Sequence, residues 1–88
     1  MTRPGRLLLF WDYDTQWGTD ADQRRGLPVA ADLGAADFPC TDELLDLHAA
    51  FAIPACFAVV GAAAREGSRP YHDAAQIRRI HAAGHEVA

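Results

Sequence analysis

Apolar positions along the chain fall into two short continuous runs and two helical stripes. Leu7-Leu8-Leu9-Phe10-Trp11 forms the first run, and Asp12-Tyr13-Asp14 closes it. A short apolar run bounded by charge reads as a buried strand, predicted here over residues 6–13. Ala55-Cys56-Phe57-Ala58-Val59-Val60, closed by Gly61, predicts a second strand over residues 55–60. Between them Thr41 reads as an N-cap. Asp42 and Glu43 follow in the first turn, where the helix dipole favours negative charge. Leu44, Leu47, His48 and Phe51 then recur at helical spacing, predicting a helix over residues 42–52 that Ile53-Pro54 breaks. Asp73 caps a further helix over residues 74–83, with Ile77 and Ile80 on one face and Gly84 as its stop. Residues 85–88 begin a third strand.

Residues 15–39 carry no periodicity and hold Gly18, Gly26, Pro28, Gly34 and Pro39. They are predicted as a long functional or lid loop, with room for one short helix over residues 30–33. The order is strand, loop, helix, strand, loop, helix, strand. That alternation implies an α/β fold in which helical crossovers join parallel strands. There is no internal repeat, and residues 1–88 read as part of one domain. Parallel sheets are normally covered on both faces, which two helices cannot do for three strands. The chain is therefore expected to be the N-terminal portion of a larger domain.

Composition narrows the classes. Half of the 88 residues are hydrophobic, so disorder is excluded. A chain this short buries only ~60–65% of its unfolded surface. The net charge is −4, and Arg24-Arg25 and Arg78-Arg79 are isolated pairs, so no basic footprint for nucleic acid exists. No apolar stretch is long enough to span a bilayer. Arg3 and Arg6 before the apolar run imitate an export signal, but the run ends at Asp12 and is too short. Cys40 and Cys56 show no metal-ligand spacing. Free thiols and a cytoplasmic location are expected.

The candidate chemistry lies in Asp12 and Asp14. Side chains alternate along a strand, so carboxylates two residues apart point to one side. Two such charges close together are unfavourable without a cation or a shared proton. The spacing therefore suggests a metal ligand beside a general base; it also fits a strand that simply ends in polar residues at the surface. Trp17 and Gly18 follow closely, and the indole is either a substrate-pocket wall or loop packing. His48 and His81 read as core-edge or surface histidines, His72 as a turn residue, His85 as structural, and Arg24-Arg25 as solvated loop.

Three segments together resemble a known family. Leu8-Leu9-Phe10-Trp11-Asp12-Tyr13-Asp14, then Pro54-Ala55-Cys56-Phe57-Ala58-Val59-Val60-Gly61, then Gly84-His85-Glu86-Val87-Ala88 is similar to the start of a polysaccharide deacetylase (NodB-homology) domain. Asp-Tyr-Asp-Thr-Gln-Trp-Gly and Arg69-Pro70-Tyr71-His72-Asp73 are most similar to its cytosolic, atypical members. The resemblance implies the N-terminal β-α-β-α-β portion of a distorted (β/α) barrel, with its site at the carboxyl ends of the strands. It implies Asp12 as general base and Asp14 as metal ligand, with Zn²⁺ as the expected ion. The family's two metal-binding histidines come after the Gly-His-Glu segment and have no counterpart in these 88 residues.

The implied function is metal-dependent hydrolysis of a C–N amide bond in a carbohydrate or small-molecule substrate. Trp17 and Gly18 are candidate substrate contacts. No nucleic-acid or membrane partner is expected, and a homo-oligomer is compatible. The isolated chain is expected to be inactive. Two other readings stay open. One is a haloacid-dehalogenase-like, Mg²⁺-dependent phosphatase, whose first motif is also an apolar strand with Asp-x-Asp, although Thr15 falls one place too early for it. The other is an inert truncated fragment or interaction product.

Overall fold

The computed structural model describes residues 5–28 and 33–88. Three parallel strands, β1 (Phe10–Tyr13), β2 (Cys56–Val59) and β3 (Glu86–Val87), form one sheet in the order β1-β2-β3. Trp11 pairs with Phe57, which pairs with Val87. The helices are α1 (Gln16–Arg24), α2 (Asp37–Phe51) and α3 (Ala74–Ala82), with a 3-10 turn over Leu33–Ala36 leading directly into α2. The expected α/β class and parallel pairing are therefore both present.

Three local expectations are corrected. β1 begins at Phe10, and Leu7 and Leu8 stand 76% and 78% exposed. The pairing explains this: Cys56 N donates to Leu9 O, and Pro54 just upstream has no N–H to extend the ladder. Second, α2 starts at Asp37, so Thr41 is buried inside the helix and does not cap it. Pro39 falls in the first turn, where the N–H groups have no intrahelical partner and its missing donor costs nothing. Third, residues 16–24 form a helix where a loop was expected. Residues 30–32 of the short helix expected over residues 30–33 lie outside the described residues, and Leu33 opens the 3-10 turn.

The third helix follows its expected signals. Asp73 Oδ1 accepts a hydrogen bond from Gln76 N at 2.9 Å, and Gly84 leaves the helix at φ +92°. Only glycine takes that left-handed conformation without a Cβ penalty.

Alternation along the strands divides the sheet. Trp11, Tyr13, Phe57, Val59 and Val87 face the helices, and Phe10, Asp12 and Glu86 stand exposed on the other side. The core is Tyr13, Phe38, Ala55, Phe57 and Ile80, with Leu45 and Ile77 packed against it. At its centre lies a fully buried glutamine. Gln76 Oε1 accepts from Tyr13 Oη at 2.8 Å, while Nε2 donates to Phe38 O and to Asp42 Oδ1. One side chain thus ties β1, α2 and α3. Arg79 also bonds Asp42 (2.9 Å), and the bonds from Gln76 and Arg79 hold the Asp42 carboxyl below the ordinary aspartate range.

Candidate functional site

Asp12 is the third residue of β1, and Asp14 follows directly after the strand. Both line an open cavity of about 650 Å³ at the carboxyl end of the sheet, together with Trp17, Asp22 and Asp37. The two residues therefore share one cavity. Neither carboxylate accepts a hydrogen bond from the described residues. Burial, and then the negative charges of Asp12, Asp37 and Asp22, raise the Asp14 carboxyl above its ordinary value.

Thr15 turns the chain from this strand into α1. It is buried and has φ 60° and ψ −156°, a region that L-residues rarely adopt. Such a residue costs on the order of 1–3 kcal/mol and persists only when its surroundings hold it. Three hydrogen bonds do so. Thr15 N donates to Asp37 Oδ2 at 2.8 Å, Thr15 Oγ1 donates to Tyr71 O at 2.9 Å, and Gln16 N donates to Pro70 O at 3.1 Å. Strained backbone beside converging carboxylates is a recognised mark of functional sites.

Glycine is required nearby for close approach. A Cβ on Gly18 would lie 2.8 Å from Asp14 Cβ, and one on Gly34 would lie 2.3 Å from Gln16 Cα. Trp17 both walls the cavity and packs: its ring lies 4.6 Å from Tyr71 and 5.9 Å, edge-on, from His72. Trp17 Nε1 and His72 Nδ1 are buried without a hydrogen-bond partner among the described residues. Tyr71 Oη donates to Asp20 Oδ2 at 2.6 Å, which lowers the Asp20 carboxyl and raises the Tyr71 phenol. Arg24 and Arg25 stand exposed at the cavity rim.

Asp37, Thr15 and Tyr71 were not singled out from sequence. Asp37 gave one faint signal, as a carboxylate able to start a helix. The histidines divide. His81 is exposed on α3, and His72 backs Trp17. His85 lies before β3, at the amino end of the sheet, far from Asp14 along the strand direction. His81 and His85 are four residues apart, but they point to different surroundings. Among the described residues, no group of three or more His, Cys, Asp or Glu side chains stands ready to hold a metal. The donors at Asp12 and Asp14 therefore do not by themselves fit a metal centre.

No family model, curated protein or solved structure matches the chain. It is a small α/β domain with a three-stranded parallel sheet and an acidic cavity at the strands' carboxyl end.

Proposed function

We propose that the chain is the N-terminal part of a polysaccharide-deacetylase-type (β/α) barrel and contributes the first half of a hydrolytic site for a C–N amide bond. The observation that carries this reading is the convergence of Asp12 and Asp14 in one cavity at the carboxyl end of a parallel sheet, where barrel enzymes keep their chemistry. Asp12, exposed to solvent, acts as the general base: it takes a proton from water as the water oxygen attacks the amide carbonyl carbon. Asp12 then returns that proton to the amide nitrogen as the C–N bond breaks, so the amine leaves protonated and a carboxylate remains. By the resemblance, Asp14 would supply one ligand to a divalent metal such as Zn²⁺ and the histidines of the family motif would supply the others; such an ion would polarise the amide carbonyl and acidify the attacking water. Trp17 offers an apolar wall to a sugar or small amide. The setting is cytoplasmic.

Titration of the 88-residue chain with Mn²⁺, followed by paramagnetic broadening of its amide resonances, tests this. Weak binding centred on residues 12–18 and removed by Asp14→Asn is expected. Broadening centred on Asp42 and Asp46, or unchanged by Asp14→Asn, contradicts the reading.

A further inference from the structure

The amino end of the sheet is closed by two buried histidines that the proposed chemistry does not use. His48, on the last turn of α2, is 6% exposed, and His85, just before β3, is 7% exposed. Their rings lie 5.3 Å apart at 72°. His48 Nδ1 faces Ile53 O at 2.7 Å, so it donates there; Nε2 lies 2.8 Å from Trp11 Nε1, so it accepts. Both bonds together are possible only for the ring with a single proton. His85 Nδ1 accepts from Ala55 N at 3.0 Å, which requires that nitrogen to be bare. The pair thus joins β1 through Trp11, the end of α2 through Ile53, the start of β2 through Ala55, and β3.

We propose that His48 and His85 form an acid-operated latch that holds the amino end of the sheet closed when neutral and opens it when protonated. A proton on His48 Nε2 would face the Trp11 N–H, and one on His85 Nδ1 would face the Ala55 N–H. Either replaces a hydrogen bond with two opposed donors, and both together place like charges 5.3 Å apart. No compensating carboxylate faces the rings among the described residues. Trp11 from β1, Ile53 from the connection and Phe57 from β2 meet the rings, and Ala49 from α2, Pro54 and Ala83 beyond α3 line the cavity beside them. Asp46 on α2, His81 on α3 and Glu86 in β3 are exposed, and alternation puts Glu86 on the opposite sheet face.

Burial, and then His48, lower the His85 imidazole below its ordinary 6.5. The unfolded chain therefore takes up its proton first as pH falls. Stability from this group is present above 6.5 and is lost as pH drops from 6.5 toward the lowered value.

The test is amide hydrogen exchange and ¹⁵N NMR on the 88-residue chain between pH 7.5 and 5. On acidification the Ala55 amide, corrected for intrinsic rate, should exchange about tenfold faster. The Trp11 indole N–H, bonded to His48, should shift on the same acidification. In His85→Asn the amide oxygen can replace Nδ1 as acceptor without titrating, so the Ala55 transition should vanish. An Ala55 transition that persists in His85→Asn, or a Trp11 indole indifferent to pH, overturns the latch. Should that variant not fold, the ring nitrogens of the unaltered chain decide. A bare His85 Nδ1 at pH 7.5 that gains a proton with the Ala55 midpoint supports the latch; a protonated Nδ1 at pH 7.5 refutes it.

Discussion

The two ends of the sheet carry opposite electrostatics on the same three strands. At the amino end, His48, His85, Trp11 and Ala55 close a set of neutral hydrogen bonds beside a cavity of about 220 Å³. At the carboxyl end, Asp12 and Asp14 receive no hydrogen bond from the described residues, and Asp22 and Asp37 add to the same field. Thr15 is bent behind them against its backbone preference. The first arrangement satisfies its buried polar groups; the second gathers like charges with no hydrogen bond among the described residues to offset them. Polar groups placed against stability are where function is to be sought.

The contrast can be broken most forcefully by removing partners of buried bonds. Gln76→Leu strands the Tyr13 hydroxyl and the Phe38 carbonyl, and is expected to cost about 3 kcal/mol in urea unfolding. At the amino end, His48→Leu leaves Trp11 Nε1 and Ile53 O unpaired and should cost about 2 kcal/mol. The carboxyl end should respond with the opposite sign. Asp14→Asn removes like-charge repulsion and, after solvent screening, should stabilise the chain at pH 7 by about 0.5–1 kcal/mol in the same assay. A loss of stability there would erase the distinction between the two ends.

How much of this was legible differs by element. α3 and the succession of elements were readable because Ile77 and Ile80 mark an apolar face and Asp73 a true cap. α2 was readable as a helix, but Leu47 and Phe51 of its expected stripe stand 54% and 67% exposed, and the face that packs carries Phe38, Leu45 and His48. α1 was not readable, because Gln-Trp-Gly-Thr-Asp-Ala-Asp-Gln-Arg carries no apolar stripe and Thr15 caps it without a side-chain bond. Alternation was enough to bring Asp12 and Asp14 together. The support around Thr15 was invisible because its partners, Asp37 and Tyr71, are 22 and 56 residues away and meet it only through tertiary closure. Leu7 and Leu8 misled for a related reason: an apolar run pairs only as far as its neighbour strand can, and Pro54 ends that neighbour.

A smaller effect sharpens the comparison through pH. The Asp14 carboxyl is raised in the folded chain, so between its ordinary 3.8 and the raised value the native state holds more proton than the unfolded state. Stability from this group is therefore lost as pH rises through that window. The amino end, through His85, gains stability as pH rises toward 6.5. The two ends should contribute opposite slopes, and Asp14→Asn should remove only the acidic one from the unfolding profile.

Interaction between the charges of Asp12 and Asp14 underlies everything expected of the sheet's carboxyl end. Carbon-13 titration of the Asp14 carboxyl carbon tests it directly. A midpoint above the ordinary aspartate value that moves down in Asp12→Asn is expected. A midpoint at the ordinary value, or one that Asp12→Asn leaves in place, would contradict it.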